Sequence, residues 1–272
     1  MPIKPPYIGR VAGPMTRSVT DAALMMAALS KPDWRDTMSL PAQDLAWTDL
    51  TRRVVGLRGL RIGLLLDAGW GLPPSDDIVE AITQAARLLE RAGATVVPMK
   101  PFTTRAIAEG INLFWRVRSW VDISALPAER REKVLPYIRE WAGIGERTST
   151  AELFQGFNQI GVLREAAVAA CQPFDFVVSP VAPVSTYPAE WASPTNDPST
   201  TMDHIAFTLP FNMSEQPAIS VPCAHDRDGL PIGLQIIGRR HDDLGVLRLA
   251  RTFELLRPAG ALKPWPKPPA AA

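Results

Sequence analysis

The sequence is poor in the features that mark several protein classes. Cys171 and Cys223 are the only cysteines among 272 residues, too few for the disulfide framework of a small secreted protein. No stretch approaches the roughly 18 uninterrupted apolar residues of a membrane span, and the first residues do not resemble a signal peptide. We therefore expect a cytoplasmic protein that does not contact a membrane.

An excess of charge of one sign is also absent. Lys and Arg total 29 and Asp and Glu total 28, which gives a formal net charge of +1. Because the basic residues are dispersed, the chain lacks the field that attracts a phosphate backbone, and we expect no nucleic-acid partner. His204, His225 and His241 have no second ligand at helical spacing, so we expect no metal ion and no other cofactor.

The composition is that of a globular α/β protein. Hydrophobic residues make up 46% and charged residues 21% of the chain, a balance that allows a sizeable buried core. The length suits one large domain, which we place at residues 1–257. Several of the 27 prolines fall in the last residues, so we expect 258–272 to form a Pro/Ala-rich tail.

A β-α-β unit is predicted over residues 60–97. Residues 60–66 form a short apolar run of strand length, Ser75 precedes an amphipathic helix that stops at Gly93, and residues 94–97 read as the next strand. Such units place their strands parallel. Ligands of these sheets gather beyond the carboxyl ends of the strands, which makes the loop at 67–74 a candidate for the wall of a pocket.

Similar signals mark the other elements. Ser18 is predicted as the N-cap of a helix to Leu29, and Ser149 with Glu152 has capping-box spacing before a helix to about residue 170. The remaining predicted elements are a helix from Asp242 or Asp243 to Leu256, strands at 174–179, 218–221 and 232–237, and helical pieces within 102–145. A polar turn joins the last two strands, so they are expected to pair.

Three ordered segments of the chain resemble the C-terminal portion of amidase-signature enzymes. Residues 13–23 are similar to the stretch that follows that family's signature region, and residues 207–212, 216–223 and 228–239 are similar to its C-terminal block. Residues 174–180 occupy the place of the strand that leads into the family's substrate pocket. The resemblance implies a mixed β-sheet with helices on both faces and hydrolysis of a small-molecule carboxamide.

The same resemblance implies a catalytic apparatus that this chain does not contain. In the family, one serine attacks the amide carbonyl, a second serine relays the proton, and a buried lysine acts as the base. This chain has no Ser-Ser dipeptide and no adjacent pair of glycines. The family's lysine and serines precede the stretch that corresponds to residues 13–23. We therefore expect the N-terminal half of the fold to be missing, no catalytic residue in this chain, and no activity of the chain alone.

The resemblance also suggests which residues bind substrate. Ser179, Pro180, Thr208, Asn212 and Gln216 are predicted to line the pocket, although hydrogen bonds that stabilise turns explain Asn212 and Gln216 equally well. The loops at 67–74, 179–188 and 208–216 are expected to converge on one cleft. Removal of half a sheet should also leave a strand edge or an apolar face uncovered, and so favour self-association into a homo-oligomer.

Three interpretations of function follow. The first is hydrolysis of the carbon–nitrogen bond of a linear amide, and the second is a non-catalytic binding or interaction module. The third is a glutamine-dependent tRNA amidotransferase A-type subunit, in which an Asp is expected shortly before the Phe207-Thr208 element. Here Ile205 and Ala206 precede that element, which disfavours the third interpretation.

Overall fold

The computed structural model describes residues 9–50 and 57–258. Over these residues the α-helices are α1 (Val19–Leu29), α2 (Asp76–Arg91), α3 (Arg105–Ser124), α4 (Ala128–Arg131), α5 (Pro136–Gly143), α6 (Thr150–Cys171), α7 (Leu209–Ser214) and α8 (Asp243–Leu256). The strands are β1 (Arg61–Leu64), β2 (Thr95–Pro98), β3 (Phe176–Pro180), β4 (Ala218–His225) and β5 (Pro231–Ile237). From residue 259 onward, the predicted tail lies outside the described part of the chain.

The strands form one mixed sheet in the order β2-β1-β3-β5-β4. The predicted β-α-β unit is confirmed, because β1 and β2 are parallel, with Arg61 opposite Thr95. β3 continues the parallel part on the other side of β1. The predicted pairing of the last two strands is also confirmed, since β4 and β5 are antiparallel neighbours.

Local signals set most of the helix ends. Ser18 Oγ accepts a hydrogen bond from Asp21 N–H at 3.1 Å, and Ser149 begins α6 with a complete capping box. Gly93 follows the end of α2 with a φ of 111°, a conformation that favours glycine. Ser75 occupies the N-cap position of α2, but its side chain makes no capping hydrogen bond.

Helices cover both faces of the sheet, as the resemblance implied. On one face α1, α2 and α8 share one apolar cluster with Phe176 and Val178 of β3. On the other face α3, α6 and α7 share a second apolar cluster with Val177 of the same strand. Successive residues of a strand point to opposite faces, so a strand that is buried throughout contributes to both cores.

β2 and β4 are the outer strands of this sheet within the described residues. Apolar side chains are also exposed beside it, because Leu24, Met25 and Leu29 of α1 reach solvent. An edge or apolar face left uncovered by a missing half of the fold stays a prediction. Self-association stays a prediction. Among the described helices, none combines the length and the apolarity of a membrane span.

Candidate functional site

Two of the predicted pocket loops meet at one edge of the sheet. β1 and β3 are parallel neighbours, so residues 67–74 and 179–188 leave their strands at the same edge. Ser75 N–H, directly after the first loop, donates to the carbonyl oxygen of Pro183 in the second loop at 3.0 Å. The two loops therefore lie side by side, and a substrate cleft formed by them stays a prediction.

The residues just before the third predicted segment, 208–216, contact the loop at 67–74. Leu72 N–H donates to Asp203 O at 3.1 Å. Gly71 has a φ of 82°, and a side chain at this position would collide with the same carbonyl oxygen, so the close approach requires glycine. Trp70 packs in the same apolar cluster as Phe207. The first loop thus contacts the chain just before Thr208.

Gln235 connects two of these segments from within the sheet. Its Nε2 donates to Ser179 Oγ and to Phe207 O, both at 2.9 Å. The Ser179 hydroxyl in turn donates to Pro180 O at 2.9 Å. Gln235 and Ser179 are buried, where a polar group without a partner is costly. Sequence reasoning missed Gln235, although a glutamine between the apolar residues Leu234 and Ile236 was a usable signal.

Gln216 compensates for a proline in the β4–β5 ladder. Gly238 N–H donates to Pro217 O at 2.9 Å, but Pro217 has no N–H to return a bond to Gly238 O. The Gln216 Nε2 donates to that carbonyl oxygen at 3.1 Å, and its Oε1 accepts from Ser214 Oγ at 2.9 Å. This arrangement fits the turn-stabilising alternative for Gln216.

The five predicted pocket residues differ in their surroundings. Ser179, Pro180 and Thr208 lie near the carboxyl end of β3, since Gln235 binds both Ser179 and the carbonyl group directly before Thr208. Gln216 lies near Gly238, beside the amino end of β3. Asn212 is exposed on α7, where its Nδ2 donates to Gly9 O at 3.2 Å. The roles of all five in substrate binding stay predictions.

An ion pair between Arg105 and Asp203 lies beside the loop at 67–74. The Arg105 guanidinium binds both carboxylate oxygens of Asp203, with Nη2–Oδ2 at 2.9 Å and Nη1–Oδ1 at 3.2 Å. Glu109 lies 3.5 Å from the same guanidinium. The hydrogen bonds that Arg105 donates to Asp203, followed by the charges of both carboxylates, raise the pKa of Arg105. Because two carboxylates surround one guanidinium, Arg105 is poorly suited to bind a free carboxylate of a ligand.

Three buried polar atoms lie around the same loops. Trp70 Nε1, Thr103 Oγ1 and His204 Nδ1 have no hydrogen-bond partner within the described residues. Burial lowers the pKa of His204 below its ordinary value, so the imidazole is neutral at pH 7. The Tyr187 ring contacts this imidazole edge to face, with 6.1 Å between the centroids. An uncharged imidazole therefore lies beside these loops.

The described residues do not supply a buried lysine base or a reactive thiol. The lysines at 31, 100 and 133 are exposed, whereas a lysine becomes a neutral base only when it is buried. Lys4, Lys263 and Lys267 lie outside the described part of the chain. Burial raises the pKa of Cys171 to about 11 and that of Cys223 to about 12, so both thiols stay protonated at neutral pH.

Two cavities lie away from the predicted loops. One of about 320 Å³ lies at the amino ends of β1 and β3 and is lined by Leu60, Asp175, Phe176, Arg239, Asp242, Gly245 and Arg248. The other, of about 770 Å³, is a groove between α2 and the end of β4. Neither is lined by a residue of the loops at 67–74, 179–188 or 208–216.

Comparison with known proteins identifies the family. The Amidase family model matches residues 6–247. The chain is 32% identical to the A-type subunit of glutamyl-tRNA(Gln) amidotransferase from Myxococcus xanthus (strain DK1622) over 269 residues, which cover 89% of this chain and 54% of that protein. It is 28% identical to an acylamidase of Rhodococcus erythropolis over 258 residues, which cover 93% and 53% respectively.

Solved structures show the same relationship. A bacterial aryl acylamidase of the amidase-signature enzymes superposes with a TM-score of 0.73 at 25% identity, and the match covers 94% of this chain and 55% of that one. The chain thus spans about half the length of the relatives it matches. Because the family model covers nearly all of the described residues, the chain belongs to the Amidase family, the amidase-signature enzymes.

Proposed function

We propose that this chain forms the substrate-pocket half of a hydrolase that cleaves the carbon–nitrogen bond of a linear, small-molecule amide. The observation that carries the proposal is the family match over residues 6–247. The similarity to an acylamidase and to an aryl acylamidase structure supports amide hydrolysis in particular. The small number of cysteines supports a cytoplasmic setting for this reaction.

We infer that the chain alone is inactive. Serine-based amide hydrolysis needs a base that removes the proton of the hydroxyl group and N–H groups that stabilise the oxyanion. The sequence has no Ser-Ser pair, and the three described lysines are exposed. The role of this chain is therefore to position substrate. The Ser75–Pro183 hydrogen bond holds the loops at 67–74 and 179–188 together, and Gln235 holds Ser179 to the chain just before Thr208.

Transamidation is a second candidate, because several similar proteins are A-type subunits of amidotransferases, including the one from Myxococcus xanthus. Two features of the chain disfavour it. Ile205 and Ala206 stand directly before Phe207, and the nearby Asp203 is engaged by Arg105. Partner-subunit genes beside the gene of this protein would favour this candidate.

A non-catalytic binding module is the third candidate function, and the absence of a Ser-Ser pair from this sequence supports it.

The test of the hydrolase is ammonia release from aryl and aliphatic amides. The purified 272-residue chain should show none above background. Addition of the part of the Rhodococcus erythropolis acylamidase that lies outside the match should produce hydrolysis, and alanine replacement of the nucleophilic serine in that part should abolish it. Turnover by this chain alone that is lost on replacement of one of its own serines would refute the proposal. So would a mixture that binds an amide and never hydrolyses it.

A further inference from the structure

The cavity of about 320 Å³ lies where the amino ends of β1 and β3 meet the start of α8. Leu60 directly precedes β1, Phe176 is the first residue of β3, and Gly245 and Arg248 lie in the first two turns of α8. Small-molecule sites have volumes of about 300–1,000 Å³, so this cavity suits a small metabolite. None of the loops at 67–74, 179–188 or 208–216 lines it, and the proposed amide hydrolysis gives it no role.

Two opposite charges of the α8 region line this cavity without meeting each other. Arg248 Nε donates to Asp49 O at 3.1 Å, and Asp242 Oδ1 accepts the N-cap hydrogen bond from Gly245 N–H at 3.1 Å. Over residues 9–50 and 57–258, no ion pair joins Arg248 or Asp242 to an opposite charge. The Nη groups of Arg248 and the Oδ2 atom of Asp242 can therefore pair with a ligand.

The two other charged groups of the lining offset each other. Arg239 Nε donates to Phe174 O at 3.2 Å, and its Nη2 lies 3.4 Å from Asp175 Oδ1. Asp175 Oδ2 accepts from Arg61 N–H at 2.9 Å, so both oxygens of this carboxylate have partners. The lining thus holds two guanidinium groups and two carboxylates. Because these charges balance, the complementary ligand carries a positive and a negative group rather than one charge alone.

The remaining lining supplies an apolar contact and keeps Asp242 in place. Phe176 is buried and Leu60 is half-buried, so together they present an apolar wall to the cavity. A side chain at position 245 would collide with the Asp242 carboxylate, which explains the glycine there. A free α-amino acid with an apolar side chain offers the matching set of groups, namely a carboxylate, an ammonium group and an apolar group.

We propose that this cavity binds a free, apolar α-amino acid of about the size of leucine. The ligand carboxylate pairs with the guanidinium groups of Arg248 and Arg239, whose fork of donors matches a carboxylate. The ammonium group donates to Asp242, and the side chain contacts Leu60 and Phe176. Because this binding uses no step of the proposed hydrolysis, a failure of either proposal leaves the other standing.

Isothermal titration calorimetry of the purified 272-residue chain with L-leucine tests the site. Two analogues separate the charges: 4-methylpentanoate lacks the ammonium group, and 3-methylbutylamine lacks the carboxylate. L-leucine should bind saturably, and each analogue should bind at least about tenfold more weakly. Absence of saturable L-leucine binding up to about 10 mM would overturn the inference. Equal affinity for 4-methylpentanoate would also overturn it, since the site would then recognise a carboxylate alone.

Variants of α8 and its N-cap locate the binding. Arg248→Gln and Asp242→Asn should each weaken L-leucine binding about tenfold. Asparagine caps a helix as well as aspartate does, so Asp242→Asn removes the charge and keeps the start of α8. The matched control is Arg251→Gln, because Arg251 pairs with Glu254 at 3.0 Å and does not line the cavity. This control should bind within about twofold of the wild type.

Circular dichroism spectra of all three variants check that each one is folded. If Arg248→Gln and Asp242→Asn both bound L-leucine as tightly as the control, the amino acid would bind elsewhere and the inference would be wrong. Should Asp242→Asn fail to fold, Arg248→Gln and the two analogues still decide.

Discussion

Replacement of Gln235 by methionine tests whether one buried amide holds the candidate site together. Gln235 is 5% exposed, and its Nε2 donates to Ser179 Oγ and Phe207 O. Methionine has a similar length and fills the same volume but donates no hydrogen bond. Gln235→Met therefore removes two hydrogen bonds while it largely preserves packing.

The size of the effect follows from what the variant leaves behind. Each lost hydrogen bond contributes about 1 kcal/mol net, and an acceptor that stays buried without a partner adds a desolvation cost of about 1–3 kcal/mol. The Ser179 hydroxyl can still donate to Pro180 O, so Phe207 O is the acceptor that loses most. We expect Gln235→Met to lower the free energy of unfolding by about 2–4 kcal/mol.

Urea unfolding followed by circular dichroism measures this change. The matched control is Gln84→Met, because Gln84 is exposed on α2 and donates to Glu80 Oε1 in an exposed contact at 2.7 Å. The control should change the free energy of unfolding by no more than about 0.5 kcal/mol. If Gln235→Met were as small in effect as the control, the buried amide would not hold the two segments, and the reasoning would be refuted.

Three further predictions concern charge, protonation and thiol chemistry. Arg105→Ala leaves the Asp203 carboxylate, 7% exposed, without its partner, and should lower the free energy of unfolding by about 1–3 kcal/mol in urea titrations. Burial lowers the pKa of His204 below 6.5 in the folded protein, so on acidification the imidazole is protonated in the unfolded chain before it is protonated in the folded one. The free energy of unfolding should therefore fall as the pH drops below about 6.5, and His204→Gln should reduce this dependence. Cys171 and Cys223, with pKa values of about 11 and about 12, should resist alkylation of the native protein near pH 8 and react after unfolding, as read by mass spectrometry.

Each of these predictions has its own control or contrary result. Arg227→Ala breaks a pair with Asp77 in which the Arg227 side chain is 73% exposed, and should change stability far less than Arg105→Ala does. Equal effects of the two variants would contradict a special role for the Arg105 pair. An unchanged pH dependence in His204→Gln would show that other groups control acid unfolding. Fast labelling of native Cys171 would show that its helix end opens readily.

The sequence by itself determined the features that depend on near neighbours. Ser18 and Ser149 begin helices because an N-cap needs only a side-chain oxygen and the N–H groups of the next turn. The β-α-β unit at 60–97 and the β4–β5 hairpin follow from apolar periodicity interrupted by turn residues. The family was also readable from sequence, since its C-terminal block is continuous enough to be recognised over residues 207–239.

Only the tertiary structure decided which distant residues meet. The position of β3 between β1 and β5 brings Ser179 to Gln235, and the contact of Arg105 with Asp203 joins residues 98 positions apart. Periodicity reports which face of an element is buried, but it carries no information about the element that covers that face. For the same reason, the compensation of Pro217 by Gln216 became visible only once the strand order and register were known, because it depends on the direction of individual backbone groups.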